Sequence, residues 1–256
     1  RSYEARAYGV QTGMRMPEAK KICPELIQRP SRPEVYAQTS SQMMQALEQL
    51  TPDLEIFSVD EAFLEFTHCQ KLYNSPEHIA TLIQATVKEA TQITCSVGIS
   101  GDKTTAKYAA KQNKPNGFKI IFPWQAEETL APVPVTELCG IAKGIAGFLA
   151  QYGIYYCGDI KKIPMSVLSK RFGSLGIRIW LMCQGKDSQP LIQLVSAPKS
   201  MGHGKIMPPN TKDKTTILFF LSHMSNKIGV RLRQHHMQAQ VFFVGVRLER
   251  GWLCHK

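Results

Sequence analysis

Leu54-Glu-Ile-Phe-Ser-Val-Asp-Glu-Ala-Phe-Leu-Glu-Phe66 is the stretch on which the fold turns. Leu54–Val59 and Ala62–Phe66 are rich in β-forming residues, and Asp60-Glu61 falls between them. The segment therefore predicts a hairpin-like pair of strands with two acids near the bend. Adjacent carboxylates in an otherwise apolar strand pair are costly unless a cation neutralises them. Hard oxygen ligands of this kind suit Mg2+, which keeps several waters and binds through a few carboxylates plus substrate phosphates. Two such ions can clamp the attacking and leaving oxygens of a phosphoryl transfer. Taken alone, Asp-Glu is a common pair and reads more readily as a solvated acidic turn.

Outward from the hairpin, strands and helices alternate. Upstream, Glu34–Leu50 carries apolar residues at helical spacing, and Thr51-Pro52-Asp53 breaks it. A short helix is expected from Pro17, with proline in its first turn, stopped by Pro24. Downstream, Pro76–Ala90 reads as helix, Ile93–Ile99 as strand, Lys103–Gln112 as helix and Phe118–Phe122 as strand. Residues 54–122 should then form a sheet backed by long helices. Beyond Pro132, Thr136–Gly153 and Pro164–Gln184 read as short helices. Residues 186–198 have the prolines and polar residues of a linker. Ser200–Met207 and Val241–Glu249 read as strands around a helix at Thr215–His235.

Charge divides the chain. Residues 1–130 hold 14 Lys and Arg against 15 Asp and Glu, while residues 131–256 hold 17 against 5, so the net +11 comes from the second half. Such asymmetry suits a polyanion-binding half joined to a neutral one. A basic solubilising surface is the alternative on charge alone. The basic residues form no amphipathic basic helix, and no apolar run is long enough to cross a bilayer, so a membrane role is disfavoured. The seven cysteines (Cys23, Cys69, Cys95, Cys139, Cys157, Cys183 and Cys254) include no Cys-x-x-Cys pair. That argues against a zinc site or a disulfide framework and suits a reduced, cytoplasmic setting. The chain starts without Met and ends within an expected strand, which reads as a fragment.

Further constellations carry chemistry of their own. In Ser2-Tyr3-Glu4-Ala5-Arg6, followed by Gly9-Val10, the Tyr3 hydroxyl and the planar donor fork of Arg6 could hold phosphate oxygens, although a surface ion pair within one helical turn is the plainer reading. Gly98-Ile-Ser-Gly-Asp-Lys103 leads through Ala106-Lys107 and Ala109-Ala110-Lys111 to Lys114-Pro-Asn-Gly117. It reads as a strand, a Gly/Ser turn and a small-residue helix, then a lysine fixed ahead of a proline turn where a triphosphate could bind. A Walker A spacing is absent. The alternative is a lysine-rich, solvated helix face. Glu137-Leu-Cys-Gly-Ile-Ala-Lys-Gly-Ile145 reads as helix, Gly-containing turn, helix, whose amides can bind phosphate without reading sequence. Lys199, His203, Lys205, Lys212, Lys214, Lys227, Arg231, Arg233, Arg247 and Arg250 suit a salt-sensitive grip on nucleic-acid backbone. His203 and the His235-His236 pair lack supporting cysteine spacing, so surface or packing roles are favoured over metal binding.

The order and separation of these motifs resemble the Y-family translesion DNA polymerases, in particular the bacterial DNA polymerase IV branch, across essentially the whole chain. The resemblance implies an α+β multidomain, right-hand polymerase. Its parts would be partial fingers at 1–32, a palm sheet backed by helices at 33–121, a thumb with a helix-hairpin-helix at 122–190, and a partial α/β little finger at 199–256. Asp60 and Glu61 match metal-binding palm carboxylates for two Mg2+ ions. Tyr3, Arg6 and Lys114 match residues that contact the incoming dNTP. Gly140, Ile141, Lys143 and Gly144 match the hairpin that grips DNA, with Ala142 replacing its second usual glycine, and Lys205, Arg231 and Arg247 fall in the little finger. The expected partners are primer-template DNA, a dNTP and a sliding clamp met through a further C-terminal segment, with the chain a monomer acting in the SOS response. The family's first catalytic aspartate and its steric gate would precede Arg1, so the chain is expected to be inactive alone. A DNA-binding fragment without chemistry is the alternative; a two-metal nuclease is disfavoured, because no further acids cluster near Asp60-Glu61.

Overall fold

A computed structural model describes residues 1–193, 198–208, 210–248 and 251–255. Two compact units, Arg1–Leu194 and Val195–Lys256, divide the chain.

In the first unit, α1 (Tyr3–Ala7) and α2 (Met16–Ile22) close on a small core of Ala5, Val10, Ala19 and Cys23. Pro17 lies in the first turn of α2, where its missing N–H costs nothing. Helix α3 (Pro33–Glu48) packs against the later helix α4 (Pro76–Thr91) and lies against the first strand of the pair β1 (Leu54–Ser58) and β2 (Glu61–Leu64). Met44, Leu47, Leu54, Ile79, Ile83, Val87 and Val97 form the shared core. The antiparallel register runs Leu54↔Leu64 and Ile56↔Ala62, then shifts before Ser58↔Glu61. This irregularity takes up a residue at the bend and re-aims the acidic pair.

β3 (Val97–Ile99), α5 (Lys103–Gln112) and β4 (Phe118–Ile120) form a parallel βαβ unit. Asp102 caps α5, accepting from the Thr105 amide at 2.9 Å. Gly98 is required here: a Cβ would stand 2.0 Å from the Ala106 carbonyl oxygen. Helix and strand approach so closely that α5 has one position on the sheet.

The expected continuous sheet across 54–122 is not what forms. β1–β2 and β3–β4 are separate two-stranded ladders among the described residues. A cavity of about 1490 Å3 is lined in part by residues of β2 and β3. Strand β3 is also shorter than expected, and β4 ends as Pro123 opens α6 (Pro123–Leu130), a helix that the sequence pattern did not signal.

The remaining helices α7 (Lys143–Ala150), α8 (Met165–Phe172) and α9 (Ser174–Met182) enclose a core that includes Leu130, Leu149, Ile154, Ile160, Leu168, Ile179 and Met182. The helix expected from Thr136 is only a 3-10 turn, Val135–Glu137, because Gly140 at φ +95° turns the chain before α7. Gly173 at φ +63° likewise divides α8 from α9.

In the second unit, α10 (Lys214–Gln234) is capped by Asp213, whose carboxylate accepts from the Thr216 amide at 2.7 Å. β5 (Val244–Leu248) pairs antiparallel with β6 (Gly251–His255). The strand expected at Ser200–Met207 is absent: that stretch has no ladder partner among the described residues, and Gly202 and Gly204 weaken it as a strand. Glu249 and Arg250, read above as strand end and basic contact, lie outside the described residues, as do residues 194–197 of the expected linker.

Candidate active site

The acidic pair sits where the β1–β2 bulge delivers it. The Ser58 hydroxyl donates to Asp60 Oδ1 at 2.8 Å, and the Asp60 amide donates back to Ser58 Oγ at 3.4 Å. This local loop holds the Asp60 carboxylate at the bend. Glu61 is treated differently: its Oε1 meets Lys107 Nζ of α5 at 2.6 Å. Lys107 Nζ also lies 4.4 Å from the centre of the Phe57 ring.

Asp60, Glu61, Tyr3, Lys107 and Lys114 all line the 1490 Å3 cavity. Arg6 does not line it directly; its guanidinium stacks on Tyr3, 4.9 Å from the ring centre. Ser2 caps α1, its hydroxyl accepting from the Ala5 amide at 3.2 Å and its carbonyl from the Arg6 amide at 3.1 Å, and no side-chain ion pair joins Arg6 to Glu4 among the described residues. Lys114 rides on a pinned loop. Gln84 donates to the carbonyls of Asn116 at 3.0 Å and Cys95 at 3.2 Å, while Asn113 donates to the Phe118 carbonyl at 2.8 Å.

Beside the acids lies a buried charged frame that sequence reading missed. Lys103 is 8% exposed and Glu55 6%, and Lys103 Nζ meets Glu55 Oε2 at 2.5 Å. Lys103 also donates to the Pro190 carbonyl at 3.1 Å, and the Ile192 amide donates to Glu55 at 2.7 Å. Asp187 accepts from the Thr104 hydroxyl at 2.6 Å and from Arg178 Nη2 at 2.8 Å. Burial alone would raise the Asp187 carboxyl; the Arg178 and Thr104 hydrogen bonds outweigh it and hold the group below its ordinary value. Burial pushes the neighbouring Asp102 carboxyl up, against the Thr105 hydrogen bonds. Two expectations are corrected here. Residues 187–193 are fastened to the first unit instead of hanging free as linker, and Lys103 and Lys107 are not part of a solvated face. No local signal marks them: two lysines at i,i+4 look like a surface pair, and the Glu55 partner of Lys103 lies 48 residues away.

The other expected contacts are dispersed. α7 begins without a side-chain cap, and Gly140, Lys143 and Gly144 are exposed. Ile141 is 4% exposed and its amide donates to the Leu138 carbonyl at 3.2 Å, so it supports the turn from within the core and presents no donor outward. In the second unit Lys205, Arg231 and Arg247 are exposed, and Arg231 spends one donor on the Gly202 carbonyl at 3.0 Å. His203 and His223 stand 6.1 Å apart, ring centre to ring centre, without the further ligand a metal would need among the described residues. No helix among them is long and apolar enough to cross a membrane.

An α+β scaffold with paired carboxylates on a hairpin bend, facing a cavity with a pinned lysine, is the pattern of right-hand polymerases with small fingers. Solved structures agree. A Y-family DNA polymerase chimera superposes with a TM-score of 0.81 at 28% identity, covering 99% of this chain and 73% of that one. An error-prone DNA polymerase of the DinB family from Sulfolobus solfataricus gives 0.68 at 27% identity, covering 99% and 76%. The model of the impB/mucB/samB family matches residues 1–111, and that of the DNA polymerase-iota thumb domain matches residues 136–187. DNA polymerase IV of Moorella thermoacetica is 33% identical over 234 residues, 91% of this chain and 58% of its own length. DNA polymerase IV of Pectobacterium atrosepticum is 32% identical over 248 residues, 97% of this chain and 70% of its own. The chain belongs to the DNA polymerase IV family of Y-family polymerases. It spans little more than half the length of some of these relatives, 58% in one case and 53% in another.

Proposed function

We propose that this chain provides the nucleotide-binding and carboxylate half of a template-directed DNA polymerase that copies damaged templates. The carrying observation is that Asp60, Glu61, Tyr3 and Lys114, from three separate stretches of sequence, open on one cavity. Tyr3 and Lys114 would hold triphosphate oxygens of a dNTP, and Arg6, stacked on the Tyr3 ring and off the cavity wall, would reach the same phosphates by turning inward. The nucleotidyl transfer is attack of a primer 3′-hydroxyl on the α-phosphate with loss of pyrophosphate.

The donor set fits Mg2+. Among the described residues Asp60 has a hydroxyl but no cation as partner, and two carboxylates leave positions for phosphate oxygens and water, as Mg2+ prefers. Asp60 and Glu61 would hold the ions, two in number by the family's pattern; bound there, Mg2+ supplies charge neutralisation to the reacting phosphate. Primer-template DNA would be gripped by the free amides of Lys143 and Gly144 and by the exposed Lys205, Arg231 and Arg247. The basic excess of the second half supports that division of labour.

The test is primer extension on intact and lesion-bearing templates, with the 256-residue chain and with the same chain carrying its upstream coding sequence. Extension should require a divalent cation. Asp60→Asn should lower it by about a hundredfold or more, since a metal-bound carboxylate contributes several kcal/mol to such a step. Primer-template affinity should stay nearly intact. Equal, measurable extension by Asp60→Asn and its parent, in whichever of the two chains extends a primer, would overturn the proposal.

A further inference from the structure

Lys103 and Lys107 lie one turn apart on α5, and each rests over one ring of an edge-to-face phenylalanine pair. Phe57 and Phe63 have ring centres 5.2 Å apart; Lys103 Nζ is 5.3 Å from Phe63, and Lys107 Nζ is 4.4 Å from Phe57. Each ring face attracts the ammonium that rests over it. The two ammonium groups differ in what else they meet. Lys103 is closed in by Glu55 and the Pro190 carbonyl. Lys107 has the Glu61 carboxylate at 2.6 Å as its one anionic partner among the described residues, and it lines the open cavity. Its side chain is 16% exposed while that of Glu61 is 44% exposed, so the lysine is the fixed member of the pair. The close fit of α5 on Gly98 fixes where that ammonium can be.

The consequence is an asymmetry between neighbouring acids. Among the described residues the Asp60 carboxylate has only the Ser58 hydroxyl, whereas Glu61 already holds a cation. A divalent ion that uses Glu61 Oε1 must displace Lys107, and one that uses Oε2 meets the charge of that ammonium close by. The displaced ammonium needs another anion within reach, and a triphosphate in the same cavity provides one. We propose that Lys107 is a positioning residue that occupies Glu61 in the resting site and moves to phosphate when nucleotide enters, so that cation occupancy at Glu61 is coupled to the nucleotide. This rests on the polymerase reading of the cavity.

The coupling can be read without catalysis. Mn2+ binding is titrated by electron paramagnetic resonance on the parent, Lys107→Met, Lys107→Arg and Asp60→Asn, first with no nucleotide and then with a non-hydrolysable dNTP analogue. Lys107→Met should tighten nucleotide-free Mn2+ binding by roughly threefold to fivefold, the worth of a partly exposed ion pair. The analogue should then add less affinity than it adds to the parent. Lys107→Arg should behave as the parent. A folded Lys107→Met chain with unchanged or weaker Mn2+ affinity would overturn the proposal; should that variant not fold, Lys107→Gln measures the same quantity and is judged alike. Asp60→Asn separates the two readings. If it weakens Mn2+ binding while Lys107→Met fails to tighten it, the gating role falls and the metal site stands. If Asp60→Asn binds Mn2+ like the parent, the polymerase reading itself fails.

Discussion

The α5–hairpin region and the second unit use cations in opposite ways. Around α5, Lys103 is buried against Glu55, and Arg178 is clamped to Asp187, so each charge is fixed by at least two hydrogen bonds. In the second unit, α10 has no buried residue, and Lys205 and Arg247 stand exposed. The first arrangement gives a cation one position at high cost if broken. The second gives a cation many positions, and its effect on a polyanion comes from the sum of charge. A reaction centre needs the former, and a sequence-independent grip needs the latter.

Removing Lys103 tests the buried side most severely. Lys103→Met leaves Glu55 buried with only the Ile192 amide as partner. Breaking a buried pair on one side costs about 3–5 kcal/mol, and the retained amide bond places this case near the lower figure. Urea denaturation should show that loss. Adding Glu55→Gln should restore part of it, because no uncompensated charge remains. Lys205→Met, by contrast, should change stability by no more than about 0.5 kcal/mol. If the two lysines cost the same, the contrast drawn between the regions is wrong.

The exposed side is tested by affinity. Reversing Lys205, Arg231 and Arg247 to Glu together should weaken primer-template binding at low salt and flatten its dependence on salt. The slope of log K against log salt should fall by roughly 0.9 for each phosphate that is no longer neutralised. Unfolding of the first unit should be unaffected. A salt slope identical to the parent's would remove these three residues from the DNA interface.

How much of this was legible in sequence follows the same division. Helices α4 and α10, the acidic bend and the βαβ unit around Gly98 were readable because each rests on local periodicity or a turn residue. The Lys103–Glu55 pair was not, because its members are 48 residues apart and either alone looks like a surface charge. The split of the expected sheet into two ladders was hidden for a related reason. Strand pairing is a long-range choice, and nothing within Ile93–Ile99 or Ala62–Phe66 says which edge will be left unpaired. The stretch Ser200–Met207 holds Gly202 and Gly204 with Ile206 as its one β-branched residue, and it has no ladder partner among the described residues, whereas Gly251–His255, too short to show a period of its own, pairs with β5.

The smallest effect decides whether exposure, and not region, sets the worth of a charge. Glu127 belongs to the first unit, yet it is a surface group. It accepts hydrogen bonds from Lys161 and Lys186, the latter at 2.8 Å, and these hold its carboxyl at about 2 against an ordinary 4.5. A carboxyl with a lower pKa in the folded chain binds fewer protons there than in the unfolded chain. Its contribution is therefore complete above about pH 4.5 and drains away as pH falls toward 2. Because the side chain is 41% exposed, solvent screening keeps that contribution below about 1 kcal/mol. Glu127→Gln should accordingly unfold at slightly lower urea than the parent at pH 7, and the two should converge near pH 2. Salt at 1 M should shrink the gap at pH 7, since the Debye length there is about 3 Å. A cost at pH 7 comparable to that of Lys103→Met would mean that the first unit stiffens even its surface charges, and the distinction would then lie between the two units, with burial a secondary matter.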